Sequence, residues 1–179
     1  TSQEVMDKAL ELGINFFDTA EMYPVPPSSE TYGNTEEIIG RWMVDRGNRD
    51  QIVLATKVVG SPREKNYYVR DGNTGFDEHN IRAAIEMSLK RLQTEYVDLY
   101  QLHWPDRNVQ KFGQRNYVHD ENEKFTPIEE TLTVLQSLQK EGKIKHFGLS
   151  NETPWGTMEF LRKKKKKGYP RPVSIQNNY

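Results

Sequence analysis

Five short apolar segments alternate with capped helices along this chain, and that alternation restricts it to a parallel sheet. The segments are Asn15-Phe16-Phe17-Asp18, Val53 to Lys57, Val97 to His103, His146 to Asn151 and Val173 to Gln176. Neighbouring parallel strands need a crossover connection, which the intervening helices provide, so all five carboxyl ends point the same way. Near-continuous apolar runs are the mark of strands buried on both faces. Each segment ends in or beside a chemically loaded residue: Asp18, Lys57, His103, Ser150-Asn151 and Gln176, with Tyr23 just past the first tip. In a barrel, such a rim is where an enzyme keeps its chemistry.

The helices are marked by their ends. Thr1 with Glu4 forms a capping box for a helix reaching about Leu12 and stopping at Gly13. Asn34 with Glu37 is expected to open the second, with Ile38, Ile39 and Trp42 inward. Asp77 opens the third, where Ile81, Ile85, Leu89 and Leu92 follow the helical period. Thr126, Pro127 and Glu129 open the fourth, with Ile128, Leu132, Leu135 and Leu138 inward and Gly142 at its end. Thr153 and Pro154 open the fifth, which carries Met158 and Leu161 and ends near Gly168. The fold class that follows is α/β, an incomplete (β/α)8 barrel.

A full eight-stranded α/β barrel takes roughly 250 residues. At 179 residues the chain is expected to form a single partial barrel domain, 1–179, belonging to a larger protein. The incomplete barrel leaves edges on the strands around Phe16 and Ile175, which invite pairing with other chains. Helix-to-strand turns are tight, whereas Glu21 to Gly33, Val59 to Phe76 and Trp104 to Phe125 are long strand-to-helix connections. Long loops on one rim favour a substrate pocket.

With 25 basic and 26 acidic residues the net charge is −1, so no global field recruits nucleic acid or a membrane. The chain has no cysteine, which excludes disulfides and thiolate catalysis. No run approaches the roughly 20 apolar residues of a membrane span. A cytoplasmic or organellar compartment is expected. His79, His119 and His146 have no metal-ligand spacing. The run Lys163 to Lys167 falls in the last turns of the fifth helix, where cations complement the helix dipole, and is read as a solvated face.

Asp18, Tyr23, Lys57 and His103 together suit carbonyl reduction. A phenol has a pKa near 10, so a Tyr that gives up its proton needs a neighbouring cation to stabilise the phenolate. Lys57 can supply that charge, Asp18 can hold the ammonium, and His103 can orient the substrate oxygen. Singly, each residue has a bland reading: a turn cap, a solvent-reaching amine, a structural histidine. Convergence on one rim is what favours chemistry. Two rivals stand beside it. A strand-end Lys57 can form a Schiff base in a lyase, and the same fold can serve as a non-catalytic binding module.

Phe17-Asp18-Thr19-Ala20-Glu21-Met22-Tyr23, Ala55-Thr56-Lys57, Leu99 to Pro105, Gly142-Lys143-Ile144 with Gly148 to Asn151, and Ile175-Gln176-Asn177 resemble the successive signatures of the aldo-keto reductases. Glu21 to Pro27 and Ser150 to Thr153 further resemble the Tas-type subgroup. The resemblance covers essentially the whole chain. It implies Asp18, Tyr23, Lys57 and His103 as the catalytic four, and Ser150, Asn151 and Gln176 as ligands of a nicotinamide carboxamide. It also implies NADPH as cofactor and a small-molecule aldehyde or ketone as substrate, with Met22 and Trp104 lining the pocket. Packing under the following loop is the plain alternative for Trp104. Tyr32-Gly33 also resembles the sequence around the family's phenol. Tyr23 is preferred because its spacing from Asp18 matches the family and leaves little slack at the strand tip. By that resemblance the family's first strand is expected before Thr1, and its seventh and eighth strands with the adenosine-phosphate loop after Tyr179. Tyr179 follows Gln176 too closely to be the residue that stacks on nicotinamide.

Overall fold

A computed structural model describes residues 1–61, 68–110, 116–118 and 120–178, with backbone alone for 164–167. Five strands, β1 (Phe16–Asp18), β2 (Val53–Val58), β3 (Val97–Leu102), β4 (Ile144–Ser150) and β5 (Ile175–Gln176), lie side by side in chain order. Every neighbouring pair is parallel. Five helices, α1 (Ser2–Glu11), α2 (Asn34–Arg46), α3 (Glu78–Leu92), α4 (Ile128–Lys140) and α5 (Pro154–Lys167), alternate with the strands. The result is a curled half-barrel, part of a (β/α)8 barrel, as the alternation predicts.

The core lies between the sheet and α2 to α4. Trp42, Ile81, Ile85, Leu92, Leu132, Leu135 and Leu138 pack on Leu54, Tyr100 and Phe147. The Trp42 indole N–H, at the edge of that core, donates to Asp7 of α1 at 2.7 Å. Burial on both faces holds for the inner strands but not for the outer two. Phe16 is 50% and Ile175 48% exposed, because each outer strand has a neighbour on one side only.

The caps follow the sequence at three helices. Thr1 and Glu4 form the capping box, Asp77 accepts from the Asn80 amide at 3.0 Å, and the Thr153 hydroxyl accepts from the Gly156 amide at 3.1 Å. At α2 the expectation fails. Asn34 is the first helical residue, and the cap is Gly33 at φ 84°, with no side-chain bond. The left-handed φ requires the glycine, and the Arg91 side chain packs against it, its Cδ 2.6 Å from where a Cβ would stand. In α5 the inward position belongs to Phe160, whereas Met158 is exposed. Strand β4 starts at Ile144, which pairs with Val97, two residues earlier than expected. The short β5 is prolonged backward by Val173 N–H donating to Phe147 O at 2.9 Å.

At the amino ends of the strands, Asp98 fastens three elements together. Its Oδ2 accepts from Arg49 at 2.7 Å and from the Leu54 amide at 3.0 Å, and its Oδ1 accepts from Lys145 at 2.8 Å. The two cations also flank the Tyr96 ring, at 4.1 and 4.3 Å from its centroid. Burial pushes the Asp98 carboxyl up, but the donated hydrogen bonds outweigh it and hold the group below its usual range.

Lys163 is ion-paired with Glu129 of α4. The side chains of the four lysines after it, with His119 and Tyr179, lie outside the described residues. Among the described residues no helix is long and apolar enough to cross a membrane, and no His, Asp or Glu group is arranged to hold a metal.

Candidate active site

Parallel register sets the site. Asp18 pairs with Ala55, Lys57 with Gln101 and Ser150 with Gln176, so the carboxyl ends of all five strands meet on one rim. Within a strand, alternate residues share a face, and Gln101 and His103 occupy such positions at the end of β3.

Lys57 is the buried centre of the cluster, with 1% of its side chain exposed. Its Nζ donates to Asp18 Oδ2 at 2.6 Å and to the Thr19 carbonyl at 2.8 Å. It also lies 5.2 Å from the centroid of the Tyr23 ring. Burial pushes the Lys57 ammonium below its ordinary pKa, against the opposing hydrogen bond and charge of Asp18. The Tyr23 ring meets His103 edge-on, with centroids 5.7 Å apart and planes at 79°. Burial, and then the Asp18 charge, raise the Tyr23 phenol. In this arrangement the Lys57 charge is engaged by Asp18 and the Thr19 carbonyl.

Asp18 receives two further bonds. Gln101 Nε2 donates to its Oδ1 at 2.8 Å, and Gln176 Nε2 donates to its Oδ2 at 3.1 Å. Asn151, at φ 52°, donates through Nδ2 to the His103 carbonyl at 2.9 Å and to Ser150 Oγ at 3.1 Å. The predicted residues from the five strand ends therefore form one connected group.

Trp104 is buried with Val59 and Val69 and is covered by Met22, Tyr32 and Tyr68. Its indole N–H donates to the Ser61 carbonyl at 3.2 Å, and its ring lies 4.9 Å from that of His103. Tyr32 packs on Tyr68, with centroids 6.0 Å apart. Of the two phenols considered, Tyr23 is the one beside Lys57 and His103. A cleft of about 590 Å³ between α2 and α3, lined by Tyr32, Asn34, Arg41 and Lys90 among others, opens on the helical exterior and contains none of the four.

Several polar anchors escaped the sequence. Glu21 is buried against Val59 and Arg70. Asp106 accepts from Ser61 N–H at 2.8 Å and Thr126 N–H at 3.1 Å, joining two long loops. Glu152 is ion-paired with Arg107, and Asn177 bonds both backbone groups of Glu152, at 3.1 and 2.8 Å. Only Gln101 carried a legible signal, the two-residue period shared with His103. The other anchors depend on which loops meet.

Comparison with known proteins places the chain in a family. The family model described as "Aldo/keto reductase family" matches residues 1–179. The chain belongs to the aldo/keto reductase family. It is 44% identical over 174 residues to Protein tas of Escherichia coli, covering 97% of this chain and 50% of that protein. It is 39% identical over 151 residues to aldo-keto reductase YhdN of Bacillus subtilis, covering 84% of this chain and 37% of the relative. Norsolorinic acid reductase B of Aspergillus parasiticus is 34% identical over 154 residues, covering 84% of this chain and 34% of the relative. The aldo/keto reductase chain described here thus spans about half the length, or less, of these curated relatives.

Proposed function

We propose that this chain carries the reaction centre of an NADPH-dependent reductase that converts an aldehyde or ketone to an alcohol. The observation that carries it is the contact of Lys57 with Asp18 at 2.6 Å, with Tyr23 packed edge-on to His103 beside it. When bound, reduced nicotinamide supplies a hydride to the carbonyl carbon. Tyr23 gives its phenolic proton to the carbonyl oxygen, and solvent returns a proton to the phenolate. A lysine ammonium has three N–H donors, and two are taken by Asp18 and Thr19. The third remains for the Tyr23 oxygen, where it stabilises the phenolate as the proton leaves. His103 donates to the substrate oxygen and sets its approach.

The rim fits the nicotinamide end of the cofactor. The Ser150 hydroxyl oxygen accepts from Asn151, so its own hydrogen is available to a carboxamide carbonyl. The Nδ2 of Asn151 and Nε2 of Gln176 are engaged elsewhere, which leaves their side-chain carbonyls as the acceptors they would offer to a carboxamide NH2. The preference for NADPH follows family likeness. The name of one relative, norsolorinic acid reductase B, accords with reduction.

The lyase reading draws on one observation, the lowered pKa of Lys57, since a reactive amine must shed its proton. The two hydrogen bonds that hold Lys57 as an ammonium disfavour it. The deciding experiment is aldehyde-dependent oxidation of NADPH by the full-length protein, with NADPH fluorescence titration alongside. Saturable binding with turnover supports the reductase. Borohydride trapping of substrate on Lys57 would support the lyase, and the absence of saturable binding would support a non-catalytic module.

A further inference from the structure

Glu21 is a carboxylate buried beside the site, and the chemistry above makes no use of it. It stands two residues before Tyr23, on the turn that carries the phenol off the tip of β1. Only 1% of its side chain is exposed, and burying a carboxylate is costly unless both oxygens find partners. Both do. Oε1 accepts from the Val59 amide at 2.7 Å, just past the end of β2. Oε2 is ion-paired with Arg70, whose own side chain is 7% exposed.

The partner is held there at some cost. Arg70 has φ 49° and Asp71 φ 55°, a left-handed region that side chains rarely adopt. Such conformations persist where the surrounding contacts over-determine them, and they cluster at functional sites. The main chain fastens the same turn: Glu21 N–H donates to the Lys57 carbonyl at 3.2 Å and Tyr23 N–H to the Ala20 carbonyl at 3.0 Å. From behind, the carboxylate faces Glu36 and the buried Tyr100 phenol. Val69, next to Arg70, packs with Trp104, so the second long loop is joined to the phenol's turn through this pair.

We propose that Glu21, clamped by Arg70 and the Val59 amide, is a positioning residue for Tyr23. It acts through the turn from Ala20 to Tyr23, setting the phenol edge-on to His103 and within reach of Lys57, and touches neither substrate nor cofactor. The proposal rests on the reductase chemistry given above.

The test uses Glu21→Gln and Arg70→Gln in the full-length protein, with Tyr23→Phe run in parallel. Each of the first two should lower kcat by about tenfold or more, because small misplacements of a catalytic group are costly. The Kd for NADPH should stay within about twofold, and the basic limb of the alcohol-oxidation pH profile should move upward as Tyr23 leaves Lys57. The double variant should be little worse than either single, since one unit has been broken. Arg70→Lys should recover part of the loss. A lowered melting temperature with unchanged kcat and pH limb would overturn the proposal and leave Glu21 a stability element. If Glu21→Gln does not fold, Arg70→Gln decides by the same readouts, because it leaves the Val59 bond in place. Tyr23→Phe separates the two levels. Activity retained there overturns the phenol and the clamp together, whereas an inactive Tyr23→Phe beside a normal Glu21→Gln overturns the clamp alone.

Discussion

Asp18 and Gln176 are 158 residues apart in the chain and 3.1 Å apart in space. They stand on β1 and β5, the two outer strands of the sheet, so the contact spans the open side of the half-barrel. Asp18 also bonds Lys57 and Gln101. One carboxylate thus gathers side chains from β2, β3 and β5 onto β1.

Tyr23→Phe in the full-length protein should reduce carbonyl turnover by about a thousandfold or more, the scale set by losing an essential proton donor. NADPH binding should change little. Tyr32→Phe should keep most activity, since Tyr32 packs on Tyr68 away from Lys57. Steady-state kinetics on the two variants compares them directly, and the reverse pattern would show that the wrong phenol had been assigned.

Lys57→Met should damage turnover far more than folding. Loss of the cation raises the cost of deprotonating Tyr23, so the basic limb of the alcohol-oxidation pH profile should shift to higher pH. An unchanged limb would remove Lys57 from that role.

Gln176→Ala removes a hydrogen bond to Asp18 and, on the proposed function, an acceptor for the carboxamide. Hydrogen bonds of this kind are worth about 0.5–1.5 kcal/mol, and more to charged groups. The KM for NADPH should rise by about two- to thirteenfold on that scale, with a smaller change in kcat. Fluorescence titration reads the binding part separately.

Asp98→Asn should lower stability by about 1–3 kcal/mol without altering kinetics, because it removes charge from a group that three donors share. The sign with pH follows from its lowered folded pKa. The stabilisation is complete above the unfolded value, about 3.9, and is lost as pH falls through the folded value. Urea midpoints for wild type and variant should differ near pH 7 and converge in strong acid; a constant gap would contradict the assignment.

The 179-residue chain expressed alone should self-associate. Ile14, Phe16, Val173 and Ile175 are all about half exposed along the two edge strands, and such edges pair readily with other chains. Sedimentation velocity of the purified chain tests this, and a compact monomer at all concentrations would refute it.

The order of elements was legible because each helix carries a local start signal and each inner strand an apolar run. Asp18, Lys57 and His103 were legible together because strand ends in a parallel sheet converge, and Tyr23 because it follows Asp18 by five residues. Local signals failed where a distant residue intervened. The chain enters α2 through a left-handed residue, Gly33 at φ 84°, with the Arg91 side chain packed against it, so Gly33 rather than Asn34 caps α2. Phe160 takes the inward place beside Phe147, with centroids 6.3 Å apart, while the nearby Met158 faces out. Glu21 and Arg70 are 49 residues apart and meet only because two irregular loops fold over one strand tip, which no periodicity encodes.

Strand β3 holds Asp98 near its first residue and Gln101 near its last. Between them lie Leu99 and Tyr100, both buried. The fastening around Asp98 and the cluster around Asp18 therefore share no side chain. Loops at the reactive end can lengthen, shorten or trade side chains for new substrates while the grip of Arg49 and Lys145 on Asp98 stays untouched. The same separation gives an engineer two uncoupled handles, one for durability and one for selectivity, on a single short strand.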